Sequence, residues 1–204
     1  MLTAALVLAA LMLGAWDYSR SSYVTGVGMV QSQVVPFSHQ HHVQDAKIDC
    51  RYCHTSVENG PVAGLPPTHT CMTCHSQLWT GAEPLAPVRA SLATGRPIRW
   101  RRVALLPDYV AFDHSIHIDR GVGCVECHGR IDKMPLTWRA RPFQMQFCVD
   151  CHRDPAPRLR PRALVTQMAP LDWNDAQRRH YGEQVMARHR IDPKKLDDCG
   201  VCHR

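Results

Sequence analysis

Residues 112–128 read Phe112-Asp-His114-Ser-Ile-His117-Ile-Asp-Arg-Gly-Val-Gly-Cys124-Val-Glu-Cys127-His128, and an earlier segment follows the same plan. The earlier segment runs from Phe37-Ser-His39-Gln-His-His42 to Cys50-Arg-Tyr-Cys-His54. In both, Phe-x-His-x-x-His precedes Cys-x-x-Cys-His by a short gap, and a second Cys-x-x-Cys-His follows. This is an internal repeat, and it predicts two modules of one design.

All 10 cysteines fall into five copies of Cys-x-x-Cys-His. This is the pattern of c-type haem attachment, in which two thiols bind the porphyrin and the next histidine binds its iron. The sequence therefore predicts five covalently bound haems c. The attachment residues are Cys50 and Cys53, Cys71 and Cys74, Cys124 and Cys127, Cys148 and Cys151, and Cys199 and Cys202, with the iron ligands His54, His75, His128, His152 and His203.

Three other uses of paired cysteines fit less well. Zinc sites combine such pairs two at a time, which would leave the fifth pair without a partner pair and give no role to the following histidines. A disulfide framework in an exported protein does not require one spacing repeated five times. Single Cys-x-x-Cys units act in thiol redox chemistry, but five in 204 residues would be unusual.

Each iron also needs a ligand on its other side unless it is catalytic. In Phe-x-His-x-x-His, the three-residue separation places two imidazoles on one helical face. One imidazole can then bind the haem of the next motif while the other reaches a neighbouring haem. This predicts His39, His42, His114 and His117 as distal ligands. His41 breaks the repeat, because Ile116 stands at the matching position.

The fifth distal ligand is predicted to be Met134, six residues after His128. Methionine is an established axial ligand of haem iron, although most methionines only fill space in a core. Met145, His69 and His180 remain alternatives. A methionine ligand would give its haem the highest reduction potential of the five on ligand grounds.

The N-terminus carries an apolar segment, Leu2 to Trp16, interrupted only by Thr3. It is short for a bilayer span, which takes about 20 residues, and a cleaved signal peptide is the alternative. No small-x-small cleavage site follows it, and Trp16 and Tyr18 suit a membrane interface. We therefore predict one uncleaved anchor in the cytoplasmic membrane, with the haem-binding part on the periplasmic side. The usual basic residues are missing before it, which points to a natural start codon upstream.

The motif spacing predicts five segments: an anchor at 1–22, a first dihaem module at 23–78, a linker at 79–105, a second dihaem module at 106–153, and a C-terminal part at 154–204 with the fifth haem. The stretch 174–189 has a helical pattern, with Ala176, Val185 and Met186 as inward positions. We expect a mainly α fold with extensive loops, a class III-like multihaem cytochrome c whose haems form the core, with one transmembrane helix.

The formal net charge is +6, but ten haem propionates would offset it, so nucleic-acid binding is not indicated. Arginine pairs with carboxylates in a bidentate way. The runs Arg99 to Arg102 and Arg158, Arg160 and Arg162 are therefore interpreted as propionate partners or contacts with another protein.

Four stretches carry a resemblance to a known family. They are Ser22-Tyr-Val-Thr-Gly-Val-Gly, Pro36-Phe-Ser-His-Gln-His-His, Leu106-Pro-Asp-Tyr-Val-Ala-Phe-Asp-His-Ser-Ile-His and Gly121-Val-Gly-Cys-Val-Glu-Cys-His-Gly-Arg-Ile-Asp-Lys-Met-Pro-Leu. From Tyr23 to Arg204 the chain resembles the pentahaem cytochrome c subunit of bacterial alternative complex III. The corresponding chain of quinone-reducing complexes is a close cousin.

The resemblance implies one N-terminal anchor, mostly bis-histidine haems and one histidine–methionine haem. It also implies three kinds of partner: an iron–sulfur subunit, a monohaem cytochrome c subunit and polytopic membrane subunits that oxidise quinol. The chain would then relay electrons to a cytochrome or similar soluble acceptor without being catalytic alone. The alternatives are a free-standing anchored quinol dehydrogenase and a multihaem oxyanion reductase, which would need an open iron position.

Overall fold

Short helices joined by long loops make up residues 1–203, the part of the chain that the computed structural model describes. The elements, in chain order, are α1 (Leu2–Arg20), α2 (Ser22–Thr25), a π-helix (Gln40–Asp45), α3 (Cys50–Cys53), α4 (Thr68–His75), a 3-10 turn (Glu83–Leu85), α5 (Ala86–Thr94), α6 (His114–Asp119), α7 (Cys124–His128), a 3-10 turn (Ile131–Lys133), α8 (Met145–Arg153), 3-10 turns (Ala156–Arg158 and Arg162–Leu164), α9 (Asp175–His189), α10 (Pro193–Leu196) and α11 (Cys199–Cys202). Residues 1–203 form only isolated β-bridges and no strand, which confirms the predicted mainly α class.

Every Cys-x-x-Cys-His motif begins or lies within a helix, namely α3, α4, α7, α8 and α11. In α3 and α11 the residue before the first cysteine is an aspartate whose carboxylate accepts the backbone N–H two residues later. Asp49 and Asp198 are thus N-caps, which satisfy donors that the first helical turn leaves free. Asp49 also accepts hydrogen bonds from the Arg51 guanidinium, and these bonds lower the pKa of its carboxyl to about 2.

Helix α1 is long and apolar enough to cross a membrane, by length and composition alone. It buries none of its residues against the rest of the chain. The predicted single apolar N-terminal helix is therefore present, and at 19 residues it is longer than the uninterrupted apolar stretch that suggested it. A signal sequence passes the same test of length and composition.

The residues that follow α1 dock onto a distant part of the chain. Val27 and Val30 form β-bridges with Arg139 and Trp138, and the Arg139 guanidinium donates to the Thr25 carbonyl oxygen at 2.9 Å. The exit of α1 is therefore held against the loop between the third and fourth motifs.

The aliphatic core is small. Its buried cluster consists of Val57, Ile118 and Val165, with Ala63 and Cys124 packed against it. Val57 follows the first motif and Ile118 precedes the third, so this cluster joins the two predicted modules. So few apolar side chains supply little burial energy at about 25 cal/mol per Å², consistent with haems that complete the interior.

Helix α9 confirms the helical pattern predicted for 174–189, and Asn174 forms a capping box with Gln177 at its start. Val185 is buried and Met186 is half-buried, but Ala176 is exposed, so that inward position was wrong. Ala176 is exposed because α9 approaches the rest of the chain most closely at a later turn. Gly182 is buried against the Ala156–Arg158 turn, where a Cβ atom would overlap the Ala156 carbonyl oxygen. The first turn of α9 lies beyond this contact.

The segment predicted as a linker, 79–105, contains helix α5. Val88 and Ser91 of α5 are buried, and the Ser91 hydroxyl lies 2.6 Å from that of Thr68 in α4. Part of this segment is therefore folded onto the helix that carries the second motif.

Candidate haem sites

The two Phe-x-His-x-x-His segments fold alike although one is a π-helix and the other is α6. Phe37 stands edge-on to His39 with centroids 4.9 Å apart and stacks on His42 at 4.4 Å. Phe112 stands edge-on to His114 and stacks on His117, both at 4.7 Å. The repeat seen in the sequence is therefore also a repeat of side-chain geometry, with the phenylalanine fixing the orientation of both imidazoles.

The Nδ1 atoms of the predicted ligand histidines face hydrogen-bond acceptors. In the two repeats, Nδ1 of His42 lies 2.8 Å from the carbonyl oxygen four residues earlier, and Nδ1 of His117 lies 2.7 Å from the equivalent carbonyl. Four of the five motif histidines follow the same rule. Nδ1 of His54, His75, His152 and His203 lies 2.7, 3.2, 2.9 and 3.2 Å from the carbonyl oxygens of Gly64, Leu78, Leu196 and Tyr109.

A carbonyl oxygen only accepts, so each of these Nδ1 atoms must carry the proton. The Nε2 lone pair is then free, and this is the tautomer that can bind a metal. The carbonyl oxygen at Nδ1 also fixes the orientation of the ring. Burial lowers the pKa of His39 and of His128 to about 4, with neighbouring imidazoles adding to the effect. These two rings are neutral at physiological pH and can donate a lone pair.

Three motif histidines face a histidine of a repeat. The ring centroids lie 6.1 Å apart for His42 and His75, 6.5 Å for His114 and His128, and 6.2 Å for His117 and His152. With metal–imidazole bonds of about 2 Å, two imidazoles on opposite sides of one metal ion have centroids roughly 6 Å apart. These three spacings suit an iron between the rings.

His39 occupies the place in the first repeat that His114 has in the second. His54 exerts the largest charge effect on His39, ahead of His42 and His128, which places His39 beside the first motif. Its Nδ1 lies 2.8 Å from the Thr137 hydroxyl. The four repeat histidines are thus distributed over the first four motifs, one to each.

The fifth motif has a different environment. The His203 ring stacks on Tyr109 at 5.9 Å. Met134 is only 2% exposed, and its carbonyl oxygen accepts from the Gln40 N–H, so its backbone is held against the first repeat. Met145 is 71% exposed and starts α8, the helix packed on α10 just before the fifth motif. Nε2 of His180 contacts the Gln184 amide at 3.0 Å.

All ten cysteines are free thiols, so no disulfide framework forms. Within residues 1–203, no three His, Cys, Asp or Glu side chains gather as a metal cluster, whereas a zinc site takes three or four protein ligands. A porphyrin supplies four equatorial ligands itself and asks for only two from the protein. Free thiol pairs and facing imidazoles therefore fit haem c.

Neighbouring thiols reveal the spatial order of the motifs. Cys50 and Cys124 are hydrogen-bonding neighbours. Besides burial, charge repulsion from Cys71, Cys151 and Cys202 raises the pKa of Cys53, Cys127 and Cys148, respectively, so these thiols are close enough to interact. The Tyr52 hydroxyl, 2.9 Å from that of Thr73, also joins the first two motifs. The attachment sites therefore follow the spatial order second, first, third, fourth, fifth.

Residues 110–204, which include the last three motifs, match the family described as cytochrome c7 and related cytochrome c. Over 149 residues the chain is 32% identical to the menaquinone reductase multihaem cytochrome c subunit of Nitratidesulfovibrio vulgaris (strain Hildenborough). The chain is a multihaem cytochrome c. The aligned region covers 72% of this cytochrome and 61% of that relative, so the chain spans about three fifths of the relative's length.

Among the arginines of this cytochrome that are predicted as propionate partners, the three that follow the fourth motif have protein partners. Arg158 and Arg160 both contact the Glu126 carboxylate, and Arg162 contacts Asp119 at 3.0 Å. These pairs join the loop after the fourth motif to α6 and α7.

The sequence did not predict the residues whose oxygens face Nδ1 of the ligand histidines. Thr137 holds His39, and the Pro61 carbonyl oxygen lies 2.7 Å from Nδ1 of His114. Both lie far from their histidines in the chain, so no local pattern could reveal them. The repeated phenylalanine was visible, and its position before both histidine pairs was the only available sign of its role.

Proposed function

We propose that this cytochrome binds five haems c, one at each motif, and serves as the electron-transfer subunit of a membrane quinol oxidoreductase. The observation that carries the proposal is the pairing of imidazoles across the motifs at spacings of 6.1–6.5 Å. This pairing offers two protein ligands to an iron and so favours electron transfer over catalysis at an open position.

Three of the proposed ligand pairs follow from those spacings, and the pair of His39 with His54 rests on the effect of His54 on the pKa of His39. His39 pairs with His54, His42 with His75, His114 with His128, and His117 with His152. His203 pairs with a methionine, and Met134 is the methionine that the sequence predicts. The packing of α8 on α10, ahead of the fifth motif, favours Met145 instead.

Haem c supplies a one-electron redox centre at each motif when bound. The chain's own residues hold the imidazoles in the required tautomer through Nδ1, attach the porphyrins through ten thiols, and line the five sites up. The second and fifth motifs are the ends of this line, so the entry and exit of electrons are expected there.

The partners proposed for the complex are an iron–sulfur subunit, a monohaem cytochrome c subunit and polytopic quinol-oxidising subunits. Helix α1 would anchor the chain in the cytoplasmic membrane, with residues 23–204 on the periplasmic side. This is the arrangement of alternative complex III, which the sequence resembles. A second candidate is a quinone-reducing complex, because the relative is named for menaquinone reduction.

The ligand part of the proposal is tested by electron paramagnetic resonance and near-infrared magnetic circular dichroism of the oxidised holoprotein. We expect five low-spin ferric haems, four of them bis-histidine and one histidine–methionine. A substantial high-spin signal would contradict the relay function and favour an oxyanion reductase.

The partner part is tested by affinity purification of the cytochrome from membranes in mild detergent. We expect co-purification of an iron–sulfur protein and polytopic membrane proteins. Recovery of the cytochrome alone, with retained quinol dehydrogenase activity, would favour the free-standing enzyme. Whether the purified complex is reduced by a quinol or instead reduces a quinone distinguishes the two kinds of complex.

A further inference from the structure

A cavity of about 270 Å³ lies between α7, the loop after the fourth motif and the start of α9. Its wall contains five arginines and one carboxylate: Arg130, Arg141, Arg158, Arg160, Arg178 and Glu126. None of the cysteines or histidines assigned to the haem sites lines it. Val125 and Glu126, the two residues between Cys124 and Cys127, also line the cavity, so it adjoins the third motif, and positive side chains predominate in its wall.

Carboxylates neutralise only part of that charge. Glu126 is shared by Arg158 at 3.3 Å and Arg160 at 3.1 Å, and Asp132 pairs with Arg130 at 2.6 Å. The other two guanidiniums contact only backbone oxygens: Arg141 reaches the Glu126 carbonyl and Arg178 reaches the Trp173 carbonyl. An excess of positive charge therefore faces the cavity.

Arg160 provides an independent sign of a missing partner. The residue is 7% exposed, its two terminal nitrogens donate to Gln167 and Glu126, and its buried Nε has no hydrogen-bond partner. The side chain lies on Gly123, where a Cβ atom would come within 2.5 Å of Nε. Burying a guanidinium with an unpaired donor is costly, unless an anion in the cavity offsets the charge.

One wall of the cavity is connected through the chain to the segment that follows α1. Arg141 is two residues from Arg139, whose guanidinium and carbonyl bind the Thr25 carbonyl and the Gly28 N–H, each at 2.9 Å. Thr25 in turn is five residues beyond the end of α1. Arg141 is thus close in the chain to the contact that holds the segment following the proposed anchor.

We propose that this cavity binds a phosphate group, carried by the headgroup of an anionic phospholipid or present as free phosphate. Guanidiniums form bidentate, charge-assisted bonds with phosphate oxygens, and several around one cavity match a group with several anionic oxygens. The lipid source rests on the membrane anchoring proposed above, whereas free phosphate does not.

The test is isothermal titration calorimetry on the detergent-solubilised holoprotein. The probes are inorganic phosphate, monomeric dihexanoyl phosphatidylglycerol, and dihexanoylglycerol as the same chains without phosphate. The double variant carries both Arg141→Gln and Arg178→Gln. The matched control is Arg179→Gln, which changes the next residue of α9, where the native arginine pairs with Asp154 at 2.8 Å away from the cavity.

We expect phosphate or phosphatidylglycerol to bind at one site, with affinity reduced at least about tenfold in the double variant, as the loss of charge-assisted bonds implies. The control should bind like the native protein. Binding of phosphatidylglycerol alone identifies a lipid, and comparable binding of both identifies free phosphate.

Two results would overturn the proposal. One is the absence of binding by both phosphate probes, as expected if haem carboxylates already fill the cavity in the holoprotein. The other is equal binding by the native protein and the double variant. In either case, unchanged haem content and low-spin spectra would leave the electron-transfer function standing, because those measurements do not depend on this cavity.

Discussion

At the scale of single residues, the hydrogen-bond acceptors at Nδ1 of the predicted ligand histidines make this chain suited to bind haem. Backbone carbonyls hold seven of the predicted ligand histidines and a threonine hydroxyl holds an eighth. The Cys-x-x-Cys-His pattern and the repeated histidine pairs were readable from the sequence because their members are close in the chain. The carbonyl partners were not readable, since most come from loops whose path depends on the whole fold.

Thr137 offers a test of this arrangement. Replacing it by valine removes the hydrogen bond to Nδ1 of His39, which makes the imidazole a weaker donor. We expect Thr137→Val to raise the midpoint potential of one haem, with the other four unchanged, in a spectroelectrochemical titration. Thr137→Ser, which keeps the hydroxyl, should restore the native potential. If valine and serine behaved alike, Thr137 would have only a packing role.

The identity of the fifth distal ligand is tested by two variants, Met134→Leu and Met145→Leu. Leucine nearly preserves volume but cannot bind iron, so loss of the thioether ligand lowers the potential of one haem and removes its histidine–methionine spectral signature. We expect one variant, and not both, to show this loss. Met134→Leu without such a loss would mark Met134 as a packing residue, in keeping with its burial. Retention of the signature in both variants would exclude both residues as ligands.

At the scale of elements, the helices that carry the motifs are short and depend on caps and contacts more than on length. A helix of four residues is far below the length that is stable alone, so α3 and α11 depend on their aspartate caps and, in the proposed function, on the haem attached to their cysteines. The sequence predicted α9 well, because that helix has a clear pattern and a capping box. It did not predict α5, because an Ala- and Pro-rich stretch is equally typical of a loop.

The contact between α9 and the Ala156–Arg158 turn predicts a strong effect of a single methyl group. Gly182→Ala would place its Cβ where the Ala156 carbonyl now lies. We expect a net destabilisation of about 1–2 kcal/mol, since overpacking costs about 1–3 kcal/mol and alanine recovers up to about 1 kcal/mol of helix propensity.

The measurement is chemical denaturation of the holoprotein followed by circular dichroism. Gln184→Ala, at an exposed position of the same helix, is the control and should change stability by less than about 0.5 kcal/mol. A Gly182→Ala variant as stable as the native protein would mean that α9 shifts freely on its neighbour.

At the scale of the whole molecule, neighbouring thiols connect the five motifs in one series, and the segment after α1 docks on the loop between the third and fourth motifs. The sequence showed the pairs and the single motif. It could not show that the second motif, rather than the first, stands at the end, because that order depends on which thiols face each other across the modules.

Membrane attachment by α1 is the prediction that belongs to this scale. If the helix is retained, the mature chain contains residues 2–20, and alkaline carbonate leaves the cytochrome in the membrane while detergent releases it. Intact-mass spectrometry and carbonate extraction measure both properties. A mature chain that begins after Arg20 and is released by carbonate would identify the helix as a cleaved signal sequence.

The repeated phenylalanine with its two flanking histidines has an evolutionary consequence. In the proposed pairing, each copy of this unit supplies the distal ligands for both motifs of its own module, so a module is complete in itself. A gene duplication then lengthens the line by two finished sites at once, without requiring new ligands elsewhere. The solitary fifth motif lies outside this scheme, because its candidate ligands Met134 and Met145 belong to the second module rather than to a unit of its own.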